Sequence, residues 1–244
     1  MPNALVSVAT PSNLLMTDST QMDLHIHACA DAEAVAHYAA DAVVITAASA
    51  IAERGVFHWV LAGGTTPKRC YELLRGADID WSNVHAWFGD ERCLPVGHAE
   101  RNDRMADEAL LSHVPIPSAQ VHRIAAELGP EVAAARYGKL LAEAPVMDLI
   151  LLGMGEDGHT ASLFPDNPAL NDPRPAIPVD NSPKPPPERV SMGYAALNAA
   201  RRCLIMVAGK GKAGTISRIL AGERLPVACV TGSEWVIDQA AYKA

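Results

Sequence analysis

Apolar residues in this chain gather into short unbroken runs: 56–62 (VFHWVLA), 84–89 (VHAWFG), 147–153 (MDLILLG) and 203–209 (CLIMVAG). Each is short for a buried helix and lacks the polar alternation of a half-exposed strand, so each is expected as a strand covered on both faces. Further short strands are expected at 188–192 (ERVSM) and 227–231 (VACVT). Between the runs the pattern changes to helical spacing. Asp31 can cap a long alanine-rich helix that Gly55 ends. Other helices are expected from Pro67 to about Arg75, with Pro67 at a favourable first-turn position, near 101–112, at 130–143, and from about Lys212 to Ala221. Strands alternating with helices imply βαβ units, hence an α/β fold on a mainly parallel sheet. The Pro-rich stretch 165–187 sits inside that alternation and reads as a long loop over the sheet's carboxyl edge rather than a domain boundary.

The 244 residues, 49% of them apolar, suit one large domain, assigned to residues 21–244, with residues 1–20 expected as a mobile arm. A formal charge of −8 argues against nucleic-acid or membrane-surface partners, which need a basic footprint. An anionic small substrate would require local basic residues. Cys29, Cys70, Cys93, Cys203 and Cys229 are odd in number, scattered and without CxxC spacing, so neither a disulfide framework nor a zinc knuckle is indicated. A reducing, cytoplasmic compartment fits best. The first twenty residues hold no Lys or Arg, so a signal peptide's basic region is missing there, and no apolar run reaches the roughly 18 residues of a membrane span.

Polar residues just beyond the apolar runs fall at strand carboxyl ends, where open α/β sheets bind ligands. After 147–153, Gly153, Gly155 and Gly158 match GxGxxG. A dinucleotide site needs a helix opening at the third glycine. Pro165 and Pro168 leave room for little more than one turn, and Asp180, though spaced like a ribose-binding acid, lacks the crossover helix before it. No nicotinamide cofactor is therefore expected. The same loop carries His159, the best candidate for proton transfer because imidazole titrates near neutrality, and Asp157, which could orient it or hold a hydroxyl. A lone histidine is more often structural; its DGHT setting favours function.

Three other loops carry complementary groups. In AGGTTPKR, Gly63 and Gly64 allow close backbone approach, and Thr65, Thr66 and the amides at the next helix start can hold an anion; alone, the segment reads equally as a capped turn. A Walker loop is excluded for want of GK[ST]. In VAGKGKAG, Lys210 and Lys212 oppose the helix macrodipole, an unfavourable position that favours phosphate binding over solvation. Asp90, Glu91 and Arg92 follow VHAWFG, where the arginine fork suits a substrate oxygen; as an isolated triplet they would read as a solvated loop. Arg189, after three prolines, adds a fourth cation that could equally be a surface residue. His25 and His27 share one face of a candidate strand, but no third ligand has diagnostic spacing, so they read as surface residues and no metal is assigned. No GxSxG elbow is present, so hydrolysis would use base-activated water rather than an acyl-enzyme.

LAGGTTPKRCYELL, WFGDERCLPVGHAERND, LILLGMGEDGHTASLFP, PPPERVSM and VAGKGKA resemble, in order, the motifs of the 6-phosphogluconolactonase family over roughly residues 60–213. The resemblance implies a Rossmann-like, mainly parallel sheet between helices, shared with sugar-phosphate isomerases of the glucosamine-6-phosphate deaminase type. It implies hydrolysis of 6-phospho-D-glucono-1,5-lactone to 6-phosphogluconate, the second step of the oxidative pentose phosphate pathway, without an obligatory cofactor. By motif position, it implies His159 as catalytic base, Asp157 as its polar neighbour and Arg92 as a substrate-binding cation. Thr65, Thr66, Arg189 and Lys212 become phosphate-side groups, beside Gly63, Gly64, Asp90, Glu91 and Asn102 as further binding residues. The family commonly has Ser-Asn after the DER loop; here Arg101 precedes Asn102, which puts the serine's contact in doubt and suggests a charge at the pocket rim. A glucosamine-6-phosphate deaminase uses a related DGH loop and is the alternative within the fold, with GDER and TASLFP favouring the lactonase. A non-catalytic sugar-phosphate-binding regulator is the alternative from another class. The expected partner is the small lactone, and the chain is expected as a monomer or small homo-oligomer.

Overall fold

The computed structural model describes residues 24–242; the arm expected over residues 1–20 lies outside the described residues. The described chain runs β1 (His25–Cys29), α1 (Ala32–Arg54), β2 (Phe57–Leu61), α2 (Thr65–Leu73), β3 (Val84–Phe88), β4 (Asp90–Arg92), α3 (Asn102–Ala109), β5 (Val121–His122) and α4 (Pro130–Glu143). It continues through β6 (Leu149–Gly153), β7 (Ala176–Val179), β8 (Arg189–Met192), α5 (Tyr194–Leu197), β9 (Cys203–Val207), α6 (Ala213–Leu220), β10 (Glu234–Asp238) and α7 (Gln239–Tyr242). Asp31 accepts the Ala34 N–H at 2.9 Å and Gly55 ends α1 at φ 75°, the two ends the sequence marks.

One seven-stranded sheet has the order β1-β10-β9-β6-β2-β3-β5, every pair parallel. Its central strands β2 and β9 are buried along their whole length, which is why their sequences show no alternation. From β2 the chain moves outward through β3 and β5, then returns to β6 on the other side of β2 and proceeds outward through β9 and β10. The loops leaving β2 and β6 therefore diverge, and a crevice opens between them at the carboxyl ends of the strands. A small antiparallel sheet, β4-β8-β7, lies after β3 and puts Arg92 opposite Arg189 and Asp90 opposite Ser191.

By length and composition α1 could span a bilayer, the one such helix among the described residues. Its Val35, Ala36, Ala39, Val43, Ala47 and Ala50 are instead buried against the sheet. Several expected boundaries move. Helix α2 opens at Thr65, two residues before Pro67; α3 stops at Ala109; Lys210–Lys212 form a 3₁₀ turn ahead of α6. No strand forms at 227–231. Pro226 opens a 3₁₀ turn there that ends at Cys229, Val227 is buried within it and Val230 just after it, and the strand is β10. A short apolar run satisfies either conformation, and the turn won because Pro226 presets its φ. Inside 165–187, β7 forms as an edge strand, a place that tolerates the missing N–H of Pro178.

Candidate active site

A cavity of about 310 Å³ occupies the crevice. The β2 loop contributes Ala62, Gly63 and Gly64; the β3 loop Gly89, Asp90 and Arg92; the β6 loop Gly153, Gly155 and His159. Asn102, Lys184, Arg189 and Lys212 complete the polar wall. Residues from four strand ends thus meet in one cavity, as the loop reading expects.

His159 Nδ1 lies 2.5 Å from Asp157 Oδ1, and the same oxygen accepts the His159 backbone N–H at 3.3 Å. An ionised carboxylate only accepts, so Nδ1 carries the proton and Nε2 keeps its lone pair. Burial pushes the imidazole below its ordinary pKa, and the Asp157 contact only partly offsets this. Burial works against ionisation of Asp157 too, but the His159 hydrogen bond prevails and holds that carboxyl below its usual value. For this pair we take the state to be neutral imidazole beside carboxylate, since the imidazole side chain is only 17% exposed. The loop is shaped for the ring. Gly155 N–H donates to the His159 carbonyl at 2.8 Å, and a Cβ on Gly155 would overlap the imidazole. Phe164 packs against its face at 4.5 Å between centroids.

The three residues after β3 separate into different roles. Asp90 lines the cavity, with Oδ1 accepting from Asn102 Nδ2 at 2.9 Å and Oδ2 from Ser162 Oγ at 2.6 Å. Glu91 does not line it. Its buried carboxyl accepts three backbone N–H groups, of Arg92, Asn102 and Asp103, each at 2.8 Å, while burial pushes its pKa up to about 7. Glu91 thereby ties the loop to the first turn of α3 and sets Asn102, whose side chain fills the space that a Cβ on Gly63 would need. Arg92 does line the cavity. Nη1 donates to the Glu100 carbonyl, whereas the buried Nε has no partner, an unmet donor beside the cavity.

Arg101 is not at the rim. It is 2% exposed, forks onto Asp103 at 3.0 and 2.7 Å, and donates to the carbonyls of Leu94 and Ile124 and to Glu127 at 2.9, 3.1 and 3.1 Å. A long cation can replace a serine here because Asp103 and Glu127 supply the countercharge.

At the β2 loop, Gly64, φ 110°, is the N-cap of α2 and gives it no side-chain cap, so the first-turn amides face out of the helix end. Tyr71 Oη bonds both the Ala62 N–H and the Ala62 carbonyl, at 2.8 and 2.9 Å, and fixes the approach to this glycine loop. Thr65 is exposed and Thr66 half-buried in that first turn. Lys212 reaches the cavity, and burial lowers its pKa against the opposing pull of Glu156; Lys210 is exposed outside it. Arg189 lines the cavity but spends Nε and Nη2 on the carbonyls of Pro186, Lys184 and Pro185, at 3.2, 3.2 and 3.0 Å. Its guanidinium lies 5.5 Å from the Phe164 centroid, and burial lowers its pKa, Asp90 opposing and Arg92 reinforcing.

Two residues escaped the sequence reading. Ser162 clamps Asp90, and its signal was its place two residues after DGHT. Lys184 enters the cavity within 4.0 Å of Asp157 Oδ1, on the strap that Arg189 holds; a lysine among prolines just before Arg189 was the available cue.

The family model for glucosamine-6-phosphate isomerases/6-phosphogluconolactonase matches residues 30–237. A 6-phosphogluconolactonase of Streptomyces coelicolor is 38% identical over 93% of this chain and 95% of its own length. The human 6-phosphogluconolactonase is 44% identical over 64% of this chain and 66% of its own. The crystal structure of 6-phosphogluconolactonase from Thermotoga maritima superposes with a TM-score of 0.82 at 30% identity, covering 89% of this chain and 100% of that one. On the fold, the crevice and these likenesses together, the chain belongs to the glucosamine-6-phosphate isomerase/6-phosphogluconolactonase family.

Proposed function

We propose that the chain hydrolyses 6-phospho-D-glucono-1,5-lactone to 6-phospho-D-gluconate, the lactone-opening step of the oxidative pentose phosphate pathway, with His159 as general base. The observation that carries the mechanism is the His159–Asp157 pair, which leaves Nε2 unprotonated at the cavity wall. Nε2 takes a proton from water as its oxygen attacks C1. The carbonyl electrons move onto oxygen, and Arg92 and Lys184 supply positive charge for that oxyanion. On collapse the bond from C1 to the ring oxygen breaks, and the imidazolium returns its proton to that oxygen, leaving a hydroxyl and a carboxylic acid that ionises. The first turn of α2, with Thr65 and Thr66, joins Lys212 and Arg189 around the 6-phosphate, distant enough from C1 to orient the lactone. Asp90 and Asn102 offer polar contacts to sugar hydroxyls.

Isomerase chemistry would ask a second cavity group to move protons between carbons. Asp90 is the available carboxylate, and both its oxygens are already held by donors, which favours the hydrolytic reading. The five cysteines, all unpaired, support a reducing cytoplasmic setting. The test presents freshly generated lactone and glucosamine 6-phosphate separately, following acid release and ammonia release after subtracting spontaneous hydrolysis. Acid from the lactone with a loss of about 10² to 10⁴-fold in kcat for a folded His159→Asn variant is expected. Ammonia release without lactone turnover refutes the function, and an unchanged His159→Asn refutes the base.

A further inference from the structure

His25 and His27 have no third ligand nearby in sequence, but the sheet brings one. Strand β10 pairs in parallel with β1 so that His25 lies opposite Glu234. His25 and His27, two apart on a strand, share a face. One ligand atom from each of His25, His27 and Glu234 falls within 4.8 Å of the others, and His27 Nε2 is 3.9 Å from Glu234 Oε2. The two rings stand 4.8 Å apart, and His27 also packs at 4.8 Å against Tyr38 of α1, which limits its swing. From these positions we infer that His25, His27 and Glu234 form a binding site for a zinc-class divalent metal.

The donor set is two borderline imidazoles and one hard carboxylate, and the two imidazoles make it suit Zn²⁺ or Co²⁺ over Mg²⁺ or Ca²⁺. Ligands on one tetrahedral zinc lie roughly 3.4 Å apart at bond lengths near 2.1 Å, so side-chain rotation closes the site without moving the strands. Water fills the fourth position. Glu234 is oriented by Arg202, whose Nε and Nη2 donate to Oε1 and Oε2 at 2.8 and 2.9 Å while Thr46 Oγ1 steadies Nη1 at 3.1 Å. The metal takes one carboxylate oxygen and Arg202 keeps the other, the usual outer support of a ligating carboxylate. Glu234 and His25 begin their strands, so the site lies at the sheet's amino end, opposite the catalytic crevice. Its consequence is mechanical: metal joins edge strand β1 to β10.

The test uses the untagged full chain stripped with EDTA, titrated with Zn²⁺ by calorimetry and with Co²⁺ by its visible absorption. One metal per chain is expected, with a rise in Tm and unaltered lactone turnover. His25 is exposed, so His25→Ala leaves the packing intact. Affinity should fall at least about tenfold in His25→Ala and in Glu234→Gln, and about 100-fold in His25→Ala/His27→Ala. If the double variant unfolds, the two single variants decide. No binding at one equivalent of Zn²⁺ up to millimolar concentration overturns the site. Binding that persists within twofold in the His25→Ala variant overturns it too, as does binding abolished by His159→Asn, which would place the metal in the crevice.

Discussion

Replacing Asp157 by Asn keeps the side chain's size and removes the charge facing His159 Nδ1. The lost contact, 2.5 Å between a carboxylate oxygen and a ring nitrogen, is a charge-assisted hydrogen bond. Such bonds contribute about 1.5–3 kcal/mol, which at about 1.4 kcal/mol per factor of ten predicts a fall in kcat of about 10- to 150-fold. The loss should appear in kcat because the imidazolium exists only after water has given up its proton. Asn also no longer dictates which ring nitrogen carries hydrogen, which pushes the effect toward the upper end of that range. The pH profile gives an independent reading. As the proposed base, His159 would act in its neutral form, so kcat/KM should fall as acid protonates it; burial already puts that limb below the ordinary histidine value of about 6.5, with Asp157 opposing burial. Without the Asp157 charge the limb should move to still lower pH while the plateau drops. The assay quantifies 6-phosphogluconate chromatographically across pH 5–7, subtracting the uncatalysed rate at each pH. A plateau within twofold of wild type together with an unmoved acid limb would refute the pairing argument.

Lys212→Ala should raise KM about 10- to 150-fold if the ammonium holds phosphate, with kcat less affected; an unchanged KM removes Lys212 from the phosphate site. Arg101→Ser leaves the buried Asp103 with only the half-exposed Arg123, 4.0 Å away, and should cost about 3–5 kcal/mol in urea unfolding, whereas a loss under about 1 kcal/mol would show that Arg123 and water replace the arginine. His58 is buried, with its pKa lowered to about 4, chiefly by burial and then by His85. The unfolded chain takes up that proton near 6.5, so stability is full above pH 6.5 and declines as pH falls toward 4, by roughly 3 kcal/mol at most. His58→Gln retains an acceptor for Trp87 Nε1 and should flatten the dependence of the urea midpoint between pH 7 and 4.5; equal slopes in both proteins would contradict the assignment.

The apolar runs foretold β2, β3, β6 and β9 because burial on both faces leaves an unbroken signature, and Asp31 and Gly55 marked α1 because caps are local chemistry. The loops around the crevice were legible only in combination: alone, the glycines and hydroxyls of 62–66 read equally as a capped turn and Asp90–Arg92 as a solvated loop, and the DGHT setting and the paired lysines tipped the reading toward a ligand. What stayed hidden depends on distant contacts. Pro226 turned a strand-like run into a 3₁₀ turn, and Arg101 proved to be interior because Asp103 and Glu127 meet it there. Glu91 read as a binding acid, yet it serves the backbone amides of Asn102 and Asp103, a role visible only once α3 is placed. Glu234 likewise becomes a neighbour of His25 only through the pairing of β1 with β10.

The crevice between β2 and β6 is lined by segments near residues 62–64, 89–102, 153–161, 184–189 and 212. Such a site has no local precursor: neither half of the chain holds both the glycine loop before α2 and Lys212. Parallel pairings between remote strands also form late, since loop closure must precede the contacts that reward it. Catalytic competence in this chain is therefore a property of the last stage of folding, and during refolding from urea helical signal should return well before turnover does.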